Sequence, residues 1–191
     1  MRLFVAVEID ERVRIAAVEA AERLRTGLSR QRVHLDARWV PVDNLHITLW
    51  FIGEVDNARA AAIVSALQPR FSHAPFDLVM GGLGAFPSSG SPRAVWLGVR
   101  SGQGGLEALH SETGARLRPL GIGPERRPYS AHVTLARVKD APRGSGAAVR
   151  RVLSERLAEV GTSTVSAVTL FRSRVSSQGS VYESVLRVPL R

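Results

Sequence analysis

The segment LHITL at residues 45–49 is repeated as AHVTL at residues 131–135, so the pattern His-x-Thr-Leu occurs twice in one chain. For this number of His, Thr and Leu residues, chance predicts roughly 0.02 copies. Each copy lies in a run of β-forming residues, follows a segment that contains proline and precedes a predicted helix. The repeat therefore predicts two lobes built on one ββα-like plan, each contributing one motif.

Alternation along a strand determines which motif residues share a face. Residues two apart point to the same side, so His46 and Thr48 project together, as do His132 and Thr134. The apolar residues between them face the core. If an approximate two-fold axis relates the lobes, two imidazoles and two hydroxyls meet in one groove.

This set of side chains suits phosphodiester chemistry. Because the pKa of an imidazole is near 6.5, one neutral histidine can take a proton from water while a protonated one donates to the leaving oxygen. The threonine hydroxyls can bond the non-bridging oxygens, where negative charge develops. Neither motif contains an acidic residue, and Asp43 is the only carboxylate just upstream, so we expect no metal and no other cofactor.

The rest of the chain predicts strands and helices in mixed order. The predicted strands cover residues 3–9, 45–53, 76–86, 94–99, 131–138, 165–175 and 181–188. The predicted helices cover residues 10–28, 56–68, 106–120 and 149–160. This order, with a hairpin turn at residues 176–180, favours an α+β fold with mainly antiparallel sheets and helices outside.

Glycine-rich segments do not divide the chain into separate domains. Residues 102–105 and 141–146 are predicted linkers, and both are short, so residues 1–191 are predicted to form one domain of two lobes. Gly81–Gly84 is interpreted as a bulge or turn, because neither G-x-G-x-x-G nor a Walker lysine is present.

Composition excludes several classes of protein. The 191 residues contain no Cys, which rules out disulfide scaffolds, thiolate zinc sites, iron–sulfur clusters and cysteine nucleophiles. No apolar stretch approaches the roughly 20 residues of a membrane span, and the N-terminal apolar run is too short for a signal peptide. We expect a soluble, cytoplasmic protein without membrane contact.

The charge balance points to an anionic partner. Lys and Arg total 26 against 17 Asp and Glu, a formal net charge of +9. Lys139 is the only lysine, and the planar fork of arginine suits phosphate. Two explanations of this excess remain open: selection for binding RNA, and a genomic base composition that favours arginine.

Several stretches outside the two motifs complete a family pattern. They are MRLFVAVE (1–8), RWVP (38–41), FIGEV (51–55), FP (86–87), PR (92–93), VWLGV (95–99), RPY (127–129), ARV (136–138), LFRS (170–173), Gly179 and YE (182–183). With them, the sequence resembles the 2H phosphoesterases nearly end to end, and within these the bacterial and archaeal RNA 2′,3′-cyclic phosphodiesterases, also called 2′-5′ RNA ligases. Members often carry Pro where this chain has Ala131, but both His-x-Thr pairs are intact.

The resemblance implies both a fold and a reaction. The fold is bilobal, with the groove between two pseudo-symmetric antiparallel sheets. The reaction opens a 2′,3′-cyclic phosphate at an RNA end, without metal, to leave a 2′-phosphomonoester; several members also join RNA ends through a 2′-5′ bond. The family assigns the first-motif histidine, His46, as proton donor and the second, His132, as the base. The implied partner is RNA with a cyclic phosphate end, such as a tRNA fragment, and monomer is the default because no coiled-coil pattern is present.

Candidate binding residues surround the motifs in sequence. Arg93, Arg127 and Arg172 lie in segments that the resemblance places near the groove, where phosphate steering and ordinary solvated charge are both open. Ser173, beside Arg172, is a further candidate. Arg137 falls opposite His132 by strand parity, which favours a structural ion pair unless a bulge re-aims it.

Aromatic residues are the remaining candidates. Trp39, Trp50, Phe86 and Tyr129 are interpreted either as base-stacking residues or as core. The unmatched histidines are expected on the surface or on a helix face: His34, His73 and His110.

Two other functions remain open. One is a 2H enzyme that acts on a small cyclic or 2′-5′-linked nucleotide, whose affinity would depend less steeply on salt than that of RNA. The other is a non-catalytic RNA-binding module.

Overall fold

The computed structural model describes residues 1–142, 144–154, 159–176 and 179–191. Its elements confirm the predicted α+β class. The strands are β1 (Arg2–Glu8), β2 (Asp36–Trp39), β3 (His46–Glu54), β4 (Phe76–Phe86), β5 (Ala94–Ser101), β6 (His132–Asp140), β7 (Gly161–Val165), β8 (Ala167–Ser176) and β9 (Gly179–Pro189). The helices are α1 (Glu11–Arg30), α2 (Asn57–Leu67), α3 (Gln103–Leu117) and α4 (Ser145–Ser154), with 3-10 turns at Val42–Asn44 and Arg118–Leu120.

The described strands form one nine-stranded sheet in the order β7-β4-β5-β6-β3-β1-β8-β9, with β2 added along β6. Pairing between neighbouring strands is antiparallel throughout. We call β1, β3, β8 and β9 the first lobe and β2, β4, β5, β6 and β7 the second lobe. The two predicted sheets are therefore continuous, and the C-terminal hairpin completes the lobe that carries the first motif.

Helices cover one face of this sheet. Helix α3 packs on β3, while α1 and α4 pack on strands of the second lobe. Ile47 and Val133, the central residues of the two motifs, are fully buried on this side. Burying such side chains stabilises the fold by about 1.5–3 kcal/mol each, so the junction of the lobes is part of the core. We call the opposite, uncovered side the groove face.

Both motif strands contain a bulge directly after the motif threonine. In β3, the pairing with β1 passes from Thr48 to Trp50, so Leu49 is the extra residue. In β6, the pairing with β5 passes from Thr134 to Ala136, so Leu135 is the extra residue. A bulge shifts the alternation of every residue that follows it. The two lobes therefore share an irregularity as well as a motif.

The first predicted linker is the start of a helix. Gly102 has a φ of 91° at the N-cap, and α3 begins at Gln103. A Cβ on Gly105 would lie 2.5 Å from the ring of Phe76. Glycine permits this close packing, so the prediction of a linker at residues 102–105 is wrong.

The predictions for the second linker, the last helix and the hairpin turn can be compared with the structure only in part. In the second predicted linker, α4 begins at Ser145. Of the predicted helix over 149–160, residues 155–158 lie outside the described residues, as do residues 177 and 178 of the predicted hairpin turn.

In the part of the chain that the structure describes, no helix is both long and apolar enough to cross a bilayer.

Candidate active site

The two motif histidines lie on neighbouring strands at the junction of the lobes. Ile47 on β3 pairs with Val133 on β6, and this antiparallel register sets each histidine across from the threonine of the other motif. His46 and His132 are therefore diagonal neighbours, whose Cα atoms lie roughly 7–8 Å apart in ordinary strand geometry. The structure brings both His-x-Thr pairs together on the groove face.

Backbone carbonyls hold the two imidazoles in the same tautomer. His46 Nδ1 lies 2.7 Å from Asn44 O, and His132 Nδ1 lies 2.7 Å from Ser130 O. A carbonyl oxygen only accepts hydrogen bonds, so each Nδ1 carries a proton and donates it, and each neutral Nε2 presents a lone pair. His46 Nε2 lies 3.1 Å from Thr48 Oγ1, whose hydroxyl therefore donates to it. Each ring thus presents its Nε2 for proton transfer, and the Nε2 of His46 also accepts from Thr48.

Aromatic rings pack against both imidazoles. The ring centroids of Phe4 and Tyr182 lie 4.9 and 5.3 Å from that of His46. Phe86, a predicted site residue, meets His132 edge-on with centroids 5.0 Å apart. Two further rings, each with its centroid 6.3 Å from an imidazole, are Phe171 and Trp96. Except for Phe86, sequence reasoning missed these rings, because only the strand order brings them together.

Burial lowers the pKa of both imidazoles in the unliganded protein. For His46, removal from water lowers the pKa from 6.5 to about 4; the bond to its backbone acceptor opposes this, while Arg137 and His132 add to it. Removal from water also lowers the pKa of His132; its own backbone bond opposes this, Arg137 adds to it and Glu125 opposes it. Both rings are therefore neutral at pH 7 before an anion binds.

Arg137 lies on the groove face. Strand alternation alone places it opposite His132, but the bulge at Leu135 returns it to the side of His132. Leu135 and Ala136 are both buried, and Arg137 is exposed on the side of His132. Its guanidinium lowers the pKa of both motif histidines, which places its charge near them. The arrangement thus sets a permanent positive charge beside two neutral imidazoles.

The equivalent bulge in β3 moves Trp50 into the core. Trp50 is 3% exposed, so the interpretation of this residue as a base-stacking platform is wrong. The next residue, Phe51, is 36% exposed on the groove face, stacked on Phe4 with centroids 6.3 Å apart. Phe51 is therefore the exposed aromatic residue of β3, and the Arg2 guanidinium lies over its ring, 5.2 Å from the centroid.

The His110 ring covers one face of the Tyr129 ring. Their rings stack with centroids 4.2 Å apart and an interplanar angle of 8°. Burial, and secondarily the Glu107 carboxylate, raises the pKa of the Tyr129 hydroxyl. His110 lies on a helix face, as expected, and its Nδ1 donates to Leu49 O at 2.7 Å. It therefore braces the bulge in β3.

Arg172 and Ser173 lie on opposite faces of β8. Arg172 pairs with Leu3, which is fully buried on the helix-covered side. The register therefore contradicts the predicted groove position of Arg172. Ser173 pairs with Tyr182, one of the rings against His46, and lies on the groove face.

The other two predicted arginines are exposed at the margin of the second lobe. Arg93 immediately precedes β5, and its carbonyl accepts a hydrogen bond from Val138 N at 2.9 Å. Arg127 lies in the segment before β6. In the described ranges, no three His, Asp or Glu side chains form a group that could hold a metal ion.

Sequence comparison shows relatives over almost the whole chain. A family model described as LigT-like phosphoesterase matches residues 15–96 and again 97–182, so it follows the repeat. The RNA 2′,3′-cyclic phosphodiesterase of Aeropyrum pernix is 38% identical over 167 residues, covering 87% of this chain and 92% of the relative. That of Archaeoglobus fulgidus is 34% identical over 185 residues, covering 97% and 98%.

Solved structures give the same result. A protein from Thermus thermophilus superposes with a TM-score of 0.79 at 29% identity, covering 100% of this chain and 98% of that one. LigT of E. coli, crystallised with 3′-AMP, superposes with a TM-score of 0.72 at 26% identity, covering 99% and 97%. These matches confirm the predicted bilobal fold. The chain therefore belongs to the LigT-like phosphoesterases of the 2H group, and within them to the RNA 2′,3′-cyclic phosphodiesterase family.

Proposed function

We propose that this protein hydrolyses the 2′,3′-cyclic phosphate at the end of an RNA, with His46 and His132 as its acid and base. Water adds to phosphorus, the bond from phosphorus to O3′ breaks, and a 2′-phosphomonoester and a 3′-hydroxyl result. The observation that carries the proposal is the matched anchoring of both Nδ1 atoms, which leaves two Nε2 atoms on one face of the sheet.

The surroundings of the two rings support different roles for them. Burial lowers the pKa of His132 and the Glu125 carboxylate opposes this lowering, so the ring is neutral and can take a proton from water. His46 is enclosed by aromatic rings and has the pKa of about 4, so its protonated form is a strong acid for the leaving O3′. This agrees with the roles that the family assigns.

The negative charge of a bound substrate favours the protonated imidazole that proton donation requires. A phosphodiester anion near an imidazole favours its protonated form and raises its pKa, so binding and proton uptake are coupled. The Thr48 and Thr134 hydroxyls and the Arg137 guanidinium then stabilise the charge that develops on the non-bridging oxygens. If a 5′-hydroxyl of a second RNA took the place of water, the same steps would form a 2′-5′ bond.

The relatives support this substrate class. Proteins that match over most of this chain are named RNA 2′,3′-cyclic phosphodiesterases, and E. coli LigT has been crystallised with 3′-AMP, a nucleoside monophosphate.

The test is turnover of an RNA oligonucleotide with a 2′,3′-cyclic phosphate end, with the position of the product phosphate read by ³¹P NMR. We expect a 2′-phosphate from the natural protein and a loss of about 10²–10⁴-fold in turnover for His46→Ala and for His132→Ala. His34→Ala, which changes an exposed histidine, is the matched control and should retain full activity. Turnover that survives in both site variants contradicts the proposal.

A further inference from the structure

Arg38 and Arg137 face each other across neighbouring strands. Arg38 on β2 pairs directly with Arg137 on β6, and both side chains are exposed. Cβ atoms of such a pair lie about 4.5–5.5 Å apart, and like charges placed this way destabilise a sheet. Among the described residues, neither arginine forms an ion pair. Binding of an anion would relieve their repulsion.

The pairing also places Arg38 on the groove face. Its neighbours Ala37 and Trp39 pair with buried residues of β6, so Arg38 points to the opposite side, with Arg137. Because Arg137 already lies near both motif histidines, Arg38 adds a second positive charge one strand further from the junction of the lobes.

Arg38 also borders the first lobe. A Cβ built on Gly179, at the start of β9, would lie 3.7 Å from Arg38 Nη2. The same hairpin end is held near the first motif, since Asn44 Nδ2 donates to Ser180 O at 2.6 Å. The guanidinium of Arg38 therefore lies where the two lobes meet at one end of the groove.

Beyond this pair, β6 carries one more exposed cation, Lys139, which is the extra residue where the register shifts between Val138 and Asp140. Asp36, two residues from Arg38 on the same strand face, pairs with Asp140 at the outer end of β2. These two carboxylates disfavour a phosphate at the outer end of β2, whereas the arginines favour one. Arg38 is thus suited to a phosphate group next to the reacting one.

We propose that Arg38 binds the phosphodiester that joins the terminal nucleotide to the preceding one, while Arg137, closer to the motif histidines, faces the reacting phosphate. This inference rests on the proposed function and deepens it: the preferred substrate is an oligonucleotide of at least two nucleotides, and a mononucleotide cannot use Arg38. Arginine provides the planar donors that phosphate oxygens accept.

The experiment compares two substrates, adenosine 2′,3′-cyclic phosphate and a dinucleotide that ends in the same group. We expect Arg38→Ala to lower kcat/KM for the dinucleotide by about tenfold and to change that for the mononucleotide less than twofold. The slope of log(kcat/KM) against log[salt] for the dinucleotide should become less steep by about one. Arg12→Ala, an exposed arginine on α1, is the matched control for net charge and should alter neither substrate.

Equilibrium binding separates this inference from the proposed reaction. Dinucleotide and mononucleotide ligands with a terminal 2′-phosphate are titrated against the natural protein and Arg38→Ala, with the Tm of each recorded to show that it is folded. Loss of affinity for the dinucleotide alone supports the Arg38 site, even if the natural protein turns over neither cyclic substrate and the proposed function fails. Equal effects on both ligands, or no effect on either, overturn the inference while leaving the proposed reaction to its own test.

Discussion

The two motif strands are alike as far as the bulge and differ at the second residue beyond it. Each has an anchored imidazole, a threonine on the same face and one extra leucine, Leu49 in β3 and Leu135 in β6. After the bulge, β3 presents Phe51 to the groove and β6 presents Arg137. One lobe therefore offers an apolar ring at the position where the other offers a cation.

The two imidazoles also differ in their surroundings, which are apolar around His46 and include a charged group near His132. His46 packs against rings of the first lobe and has the pKa of about 4, whereas His132 has Glu125 nearby to oppose the lowering of its pKa. The repeat thus explains why two proton-transfer groups meet, and the differences between the copies explain how each can have its own role.

The largest effect is expected when both copies are broken together. If the two histidines act in one concerted step, His46→Ala with His132→Ala should reduce turnover no further than the worse single variant, about 10²–10⁴-fold. Single-turnover assays of the four proteins check this. Multiplication of the two losses would mean that the rings act in separate steps.

Removal of the cation of the second lobe should have the next largest effect. Arg137→Ala is expected to lower kcat by about 10²–10³-fold, because it removes a fixed charge beside the reacting phosphate. Arg137→Lys should recover only part of this, since lysine lacks the planar fork. Steady-state kinetics measure the effect, and an Arg137→Ala protein with unchanged kcat would remove this residue from the site.

The buried imidazole of the first lobe should make stability depend on pH. Its pKa is about 4 in the folded protein and 6.5 as the ordinary value, so between these values the unfolded chain binds more protons. The free energy of unfolding should therefore fall as pH drops from 6.5 to 4, by up to about 3 kcal/mol. Urea unfolding at pH 4.5 and 7 checks this, and His46→Gln should lose part of the difference. A variant with the full pH dependence would show that other groups cause it.

The smallest effect is expected at the apolar counterpart of Arg137. Phe51→Ala should raise KM for an RNA substrate about fivefold, near the lower limit for the loss of one base–aromatic contact, and should leave kcat nearly unchanged. Val181→Ala, another exposed apolar side chain, is the control. An effect of the same size in both variants would argue against contact between Phe51 and a base.

Sequence reasoning works within the motif and fails just beyond it. His46 and Thr48 share a face because no irregularity occurs between them, so the period of two holds. The same period predicts that Arg137 lies opposite His132, but Arg137 lies past a bulge that nothing in HVTLAR announces. Trp50, a candidate for base stacking, lies past the equivalent bulge in β3. Arg172 failed for a different reason, because membership of a family block does not tell which face a residue occupies.

The order of the strands in the sheet also cannot be predicted from the local sequence pattern. Phe4, Phe171 and Tyr182 converge on His46 only because β1 and β8 lie between β3 and β9, and local alternation carries no information on strand order. The four-residue strand β2 was not predicted, since DARW has no clear alternation of apolar residues. Arg38 was therefore assigned no role from sequence.

The most direct test of the account is the titration of the two imidazoles by ¹⁵N NMR, with and without 2′-AMP. We predict that in the free protein both rings are neutral at pH 7 and carry their proton on Nδ1, and that 2′-AMP shifts the Nε2 resonances of both His46 and His132 and raises both pKa values. If the ligand perturbs only one ring, or if the proton lies on Nε2 in either, the two histidines do not share one phosphate and the account is contradicted.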